Sequence, residues 1–259
     1  MQLKERTALV TGASSGLGTH FARKLAARGA NLVITARRQD RLEALATEIR
    51  AAHGVEVTVI TLDLAEPSGP EALFNQTEGA GLPIDILINN AGFGTRKSFA
   101  DTPWPRSQSQ LQLNVTALTE LTYRFVKAMA ARQRGWILNV ASLGAYLAIP
   151  GYASYAAGKA YVRNFTEALA FETAGTGVTV TCLCPGATAT EFTAVAGHDL
   201  ASWQELAMMS AERCAEIGLK ALFRGRRNMI AGVSNTLIAF LLRFAPRRMA
   251  TWIASHVMA

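Results

Sequence analysis

The end of this chain lacks acid. From Ile217 to Ala259 there is no Asp or Glu, yet Lys220, Arg224, Arg226, Arg227, Arg243, Arg247 and Arg248 all fall there. Those seven cations equal the net charge of +7, so the rest of the chain is balanced. A nucleic-acid-binding face interleaves basic and aromatic residues over a surface. Here the cations flank an apolar segment, which excludes nucleic acid as the expected partner. Cysteine is also scarce. Cys182, Cys184 and Cys214 make no disulfide framework, and no second pair or histidine cluster completes a metal site. They are expected as buried residues, and the dispersed His20, His53, His198 and His256 as structural or solvated ones. Long apolar runs are missing too. Met1–Arg6 is polar and shows no signal-peptide core, so a cytoplasmic location is expected. The apolar run Thr236–Leu242 is far shorter than the roughly 20 residues that cross a bilayer. No repeat, low-complexity linker or domain boundary interrupts the chain, so residues 1–259 are expected to form one domain.

What is present is a large apolar fraction. Half of the residues are hydrophobic and 17% charged, which excludes disorder and permits a large core. Short β-rich runs alternate with longer helical ones. The runs at 7–12, 31–37, 56–64, 84–92, 135–142, 177–186 and 228–232 are apolar on both faces, as strands covered by helices on both sides must be. Helical segments are expected at 17–28, 39–52, 106–132 and 154–174. Within 39–52, Leu42, Leu45, Ala46 and Ile49 recur at helical spacing. The alternation predicts an α/β fold with one doubly wound, mainly parallel, seven-stranded sheet.

After the first strand the chain reads TGASSGLG, with Gly12, Gly16 and Gly18 ahead of a helix. Glycines let a backbone approach a ligand closely, and the helix start offers unpaired N–H groups to a pyrophosphate. The spacing is neither G-x-G-x-x-G nor a P-loop. At the end of the second strand, a site for NAD usually places an acid against the ribose hydroxyls. This chain has Ala36, Arg37 and Arg38. An acid would repel the extra phosphate of NADP, whereas an arginine fork holds it. NADP(H) is the expected cofactor, with Arg37 the stronger candidate because it directly follows the strand.

The segment GYASYAAGKAYV, residues 151–162, sets three tyrosines beside one lysine. Residues four apart share a helix face, so Tyr155 pairs with Lys159, while Tyr152 and Tyr161 do not. An ammonium about 4 Å away stabilises a phenolate by about 4 kcal/mol at an effective dielectric near 20. That predicts a Tyr155 pKa lowered toward neutrality, suited to acid–base work. Ser142 closes the fifth strand, with a hydroxyl able to bind a substrate oxygen. Asn114 lies inside a predicted helix, where Asn is a poor fit. A bent helix around a polar, water-binding site would account for it, as would simple exposure to solvent.

Thr11–Gly18, Asn89–Gly92, Asn114, Ser142, Tyr155-x-x-x-Lys159 and Pro185-Gly186 occur in one order. Together they closely resemble the classical short-chain dehydrogenase/reductase family over about residues 5–232. The resemblance implies a Rossmann-like sheet and a catalytic tetrad of Asn114, Ser142, Tyr155 and Lys159. It implies carbonyl–alcohol interconversion, with Tyr155 passing the proton and Lys159 binding the nicotinamide ribose. In the implied scheme Asn114 holds a water that relays protons through Lys159. The implied cofactor shell is Gly12, Ser14, Ser15, Gly16, Leu17, Gly18, Arg37, Arg38, Asp63, Leu64, Asn90, Ala91, Gly92, Tyr155, Lys159, Pro185, Gly186, Thr188 and Thr190. Asp63 would contact the adenine, and Thr188 or Thr190 the nicotinamide amide or pyrophosphate. The alternative is a non-catalytic NADPH-binding scaffold or sensor, whose sign would be a broken tetrad.

The resemblance also implies a homodimer or homotetramer joined through 106–132 and 154–174. Ala153, Ala156, Ala157, Ala160 and Ala168 suit close helix approach there, and equally suit packing on the sheet. Residues 187–215 are expected as a helical substrate lid. Phe192, Leu200, Trp203, Leu206, Met208 and Met209 line an apolar pocket in one reading and pack helices in the other. The departure from the family is the tail, residues 233–259. Pro246 predicts two helices there, about 235–244 and 247–257. Leu237, Phe240, Leu241, Phe244, Trp252 and Ile253 either pack on the core, the lid or a second subunit, which is the favoured reading, or lie on an anionic membrane with Arg243, Arg247 and Arg248 near headgroups.

Overall fold

The structure is a computed structural model that describes residues 2–197 and 208–257. Leu200, Trp203, Leu206 and His198 lie outside the described residues. Seven parallel strands form the main sheet: β1 (Thr7–Thr11), β2 (Asn31–Ala36), β3 (Val57–Thr61), β4 (Ile86–Asn89), β5 (Gly135–Val140), β6 (Val178–Cys184) and β9 (Asn228–Ile230). Their order is β3-β2-β1-β4-β5-β6-β9. The order reverses between β1 and β4, which pair from Ala8–Ile86 to Val10–Ile88. Ligands of doubly wound sheets bind at the strand ends beside such a reversal.

Both faces are covered. On one, α1 (Gly16–Ala26), α2 (Gln39–His53) and α8 (Ala211–Phe223) bury Phe21, Leu25, Leu42, Ile49 and Leu219 against Val10, Ile34 and Leu138. On the other, α5 (Leu118–Ala131) sets Leu121, Phe125 and Met129 on Leu9, Leu87 and Ile137. The helix α6 (Ala153–Glu172) packs beside it, with Val162 against Cys182 and Cys184. All three cysteines are buried, Cys182 and Cys184 on β6 and Cys214 on α8. A short helix α3 (Gly69–Asn75) lies between β3 and β4, where no helix was anticipated.

The expected strands end earlier than their composition suggests. Asp63, Asn90–Gly92, Ser142 and Pro185-Gly186 leave the sheet and become loops at its carboxyl edge. The expected helix 106–132 is three pieces: α4 (Trp104–Leu111), a π segment (Gln112–Ala117) and α5. The lid is not wholly helical. Thr188–Ala189 (β7) pairs with Met209–Ser210 (β8), and α7 (Phe192–Ala196) is a single short turn.

The tail forms α9 (Val233–Leu241) and α10 (Arg247–Val257), separated at Pro246 as predicted. Ala239 and Ala254 are buried, but the larger apolar side chains named for packing are not. Leu237, Phe240, Leu241, Phe244, Trp252 and Ile253 are all exposed. The periodicity signals an apolar face correctly, but that face points outward.

Candidate active site

The glycine loop is tied to the end of β4. Asn90 donates from Nδ2 to the Thr11 carbonyl at 2.9 Å, and the Asn90 and Ala91 amides donate to Thr11 Oγ1 at 3.0 Å each. Gly12 has φ +66°, and a Cβ there would lie 2.9 Å from Ala91 Cα. At Gly18 a Cβ would overlap the Gly12 carbonyl oxygen. The loop is therefore closed to side chains. Ser15 caps α1 without a side-chain bond, and no acid stands in the first turn, so the amides and partial positive charge of the helix start are not taken up by a cap or a first-turn acid. Leu17 packs into the core below, and Thr190 sits over Gly16.

The cradle's far end is basic. Arg38 reaches Ser14 Oγ at 3.3 Å, while the exposed Arg37 lies 3.6 Å from the Asp63 carboxylate. Arg38, not Arg37, touches the glycine loop. Asp63 also accepts from the Ala65 amide at 2.9 Å, beside buried Leu64. Glu191 bonds Arg38 at 3.1 Å and Arg41 at 2.6 Å, linking the segment after β7 to the start of α2. Neither Arg41 nor Glu191 was anticipated, since the pair is separated by 150 positions and has no local signature.

Across the strand ends the four tetrad candidates converge. The Asn114 side chain leaves the π segment and bonds the Phe93 peptide at both ends, accepting from its amide at 3.1 Å and donating to its carbonyl at 2.8 Å. The polar side chain inside a helix is explained by a break in the i→i−4 ladder rather than by exposure. A water here would use the second lone pair of Oδ1. Gly92 lies between Asn114 Oδ1 and Lys159 Nζ. Ser142 Oγ accepts from the Gly144 amide at 3.0 Å, and the Tyr155 ring lies against the same glycine. Pro185 accepts from the Leu143 amide at 2.7 Å, and Thr188 Oγ1 donates to the Gly186 carbonyl at 3.0 Å.

The three tyrosines separate as helical geometry predicts. Tyr155 faces the site, with its ring 5.3 Å from Phe192. Tyr152 is buried with Ile149, Ala156 and Ala196. Tyr161 is exposed on another face and stacks on Phe165. The electrostatic expectation needs correction. Burial pushes the Tyr155 phenol up to about 12, opposed by the nearby Ser142 hydroxyl, and it is not lowered toward neutrality. Lys159 Nζ lies 5.8 Å from the Tyr155 ring centre and donates instead to the Val140 carbonyl at 2.7 Å. Desolvation pulls the Lys159 ammonium down to about 8. Desolvation of both groups outweighs the pairwise attraction that spacing alone suggests.

Among the described residues no cluster of His, Cys, Asp and Glu suits a metal ion. The cradle closed to side chains, the open helix start and the basic far end do fit a dinucleotide. Such an arrangement marks the class of enzymes that hold a dinucleotide over the strand ends of a doubly wound sheet. The family model for short chain dehydrogenases matches residues 6–201. A 7β-hydroxysteroid dehydrogenase from Collinsella aerofaciens is 35% identical over 193 residues, 73% of each chain. A short-chain dehydrogenase from Sphingobium yanoikuyae, in complex with NADPH, superimposes with a TM-score of 0.84 at 31% identity over 94% of both chains. A structure described for 7β-hydroxysteroid dehydrogenase stereoselectivity gives 0.89 at 29% identity, over 98% of this chain and 99% of that one. The chain belongs to the classical short-chain dehydrogenase/reductase family and is an oxidoreductase of carbonyls and alcohols.

Proposed function

We propose that this enzyme reduces a ketone on an apolar small molecule with NADPH, and oxidises the corresponding secondary alcohol in reverse. The observation that carries the reading is that Ser142 and Tyr155 meet around Gly144, where a Cβ would lie 3.4 Å from Ser142 Oγ and 3.9 Å from the Tyr155 ring. The bound cofactor supplies or accepts the hydride. Ser142 and Tyr155 donate hydrogen bonds to the carbonyl oxygen, and Tyr155 then releases its proton to it. Burial keeps the Tyr155 phenol protonated at neutral pH, so it carries the proton that reduction needs, although the raised pKa makes it a weaker acid than one poised near neutrality. Lys159 holds positive charge beside the site and binds the nicotinamide ribose. Asn114 fixes the loop at Phe93 and binds a water that returns protons toward Lys159.

Ser14, Arg37 and Arg38, with no acid after β2, support NADP, as does the NADPH bound to the Sphingobium relative. Tyr155 clusters with Leu147, Ile149, Tyr152, Phe192 and Ala196, an apolar wall that suits an apolar ketone. Similarity to a 7β-hydroxysteroid dehydrogenase agrees with that class. A homo-oligomer through α5 and α6 is supported by exposed Tyr123, Tyr161 and Phe171, near exposed Ala153, Ala157 and Ala168.

The test is a screen of ketones and alcohols of graded size with each nicotinamide cofactor. Turnover of bulky apolar ketones with NADPH is expected. No turnover of any carbonyl or alcohol, with cofactor still bound, would instead support a scaffold.

A further inference from the structure

We infer that the C-terminal helix pair docks on an anionic lipid bilayer. In α9 and the turn after it, Val233, Leu237, Phe240, Leu241 and Phe244 fall within an arc of about 100° at 3.6 residues per turn. All five are exposed, Phe244 by 73%, whereas Ala239 on the opposite side is buried. The second helix repeats the arrangement. Met249, Trp252 and Ile253 share an exposed face, with Trp252 at 63%, and Ala254 behind them is buried. A helix that serves a protein core turns its apolar stripe inward; these two turn it outward.

Charge selects the occupant. Arg243, Arg247 and Arg248 are exposed, and the tail contains no acid. Among the described residues no ion pair takes up any of the three. A two-fold contact centred on this face would bring its acid-free, basic surface against itself. A surface of anionic headgroups accepts it, with the aromatic and aliphatic stripe entering the acyl boundary. No helix of the described residues is long and apolar enough to cross a membrane, so the pair lies in the interface. Arg247, Arg248 and Trp252 line an open cleft with Pro150, on the loop that leads into Tyr152 and Tyr155. A bilayer seated on the tail therefore lies beside the mouth of the site.

Co-sedimentation of the full chain with vesicles tests this. Phosphatidylcholine vesicles containing phosphatidylglycerol should capture the protein, phosphatidylcholine alone should not, and added salt should release it. The triple variant Arg243→Glu, Arg247→Glu, Arg248→Glu should lose at least about tenfold in binding to anionic vesicles. Phe240→Ser with Phe244→Ser should do the same, with the circular dichroism of the native fold retained in both. Absence of wild-type binding would overturn the proposal, as would equal binding by the charge-reversed variant. Light scattering supplies the remaining arm: if the Phe240→Ser, Phe244→Ser variant dissociates an oligomer and the wild type ignores vesicles, the face is a subunit contact.

Discussion

Lys159 Nζ is bonded at 2.7 Å to the carbonyl oxygen of Val140, the last residue of β5. The ammonium is 5% exposed, and its pKa is pulled from 10.5 to about 8. Below pH 8 both folded and unfolded chains are protonated here, and the burial cost is fully present. Between about 8 and 10.5 the unfolded chain binds more protons, so this group's contribution to stability rises with pH. Lys159→Met removes a cost of at most about 3 kcal/mol and loses a bond worth about 1–3 kcal/mol. The variant should be no less stable than wild type at pH 7 and lose turnover by at least about a hundredfold. Its stability relative to wild type should fall as pH rises to 10, as read by urea melts at each pH.

Asn114→Ala removes both bonds to the buried Phe93 peptide. A loss of about 2 kcal/mol in unfolding free energy is expected, with turnover reduced as the loop at Gly92 loosens. An unchanged urea midpoint would show that the π segment holds the loop without this side chain.

Gly18→Ala places a methyl group against the Gly12 carbonyl. NADPH and NADH affinity should both fall by about tenfold or more, since the shared pyrophosphate seat is what moves. Fluorescence titration of each cofactor, with a thermal melt as control, checks this.

Arg38→Ala should weaken NADPH by roughly ten- to a hundredfold and barely change NADH, as loss of a charge-assisted bond to one phosphate predicts. Glu191→Gln should act in the opposite direction on NADPH, because it frees Arg38 and Arg41 from their carboxylate. Equal losses for both cofactors in Arg38→Ala would mean that the arginine only shapes the loop.

The order of strands and helices was legible because apolar runs and amphipathic stripes are local signals. Their ends were not. Asn90–Gly92 and Pro185-Gly186 continue apolar or β-rich segments, and only the sheet's three-dimensional edge shows where pairing stops. Asn114 was legible as a misfit in a helix, though not as the π segment that accommodates it. The spacing of Tyr155 and Lys159 identifies the pair, but says nothing of how much water surrounds it, and desolvation decides the sign of the shift on the phenol. The tail shows the same limit. A helical period marks Phe240 and Phe244 as one face, yet the sequence does not show what covers that face.

The most direct test of the account is turnover of Tyr155→Phe beside Tyr152→Phe. The first removes the hydroxyl of the ring that lies with Ser142 around Gly144; the second removes a phenol buried in the neighbouring apolar cluster. With NADPH binding unchanged in both, ketone reduction should fall by at least about a hundredfold in Tyr155→Phe and remain near wild type in Tyr152→Phe. Near-normal reduction by Tyr155→Phe would contradict the assignment of Tyr155 as the proton donor.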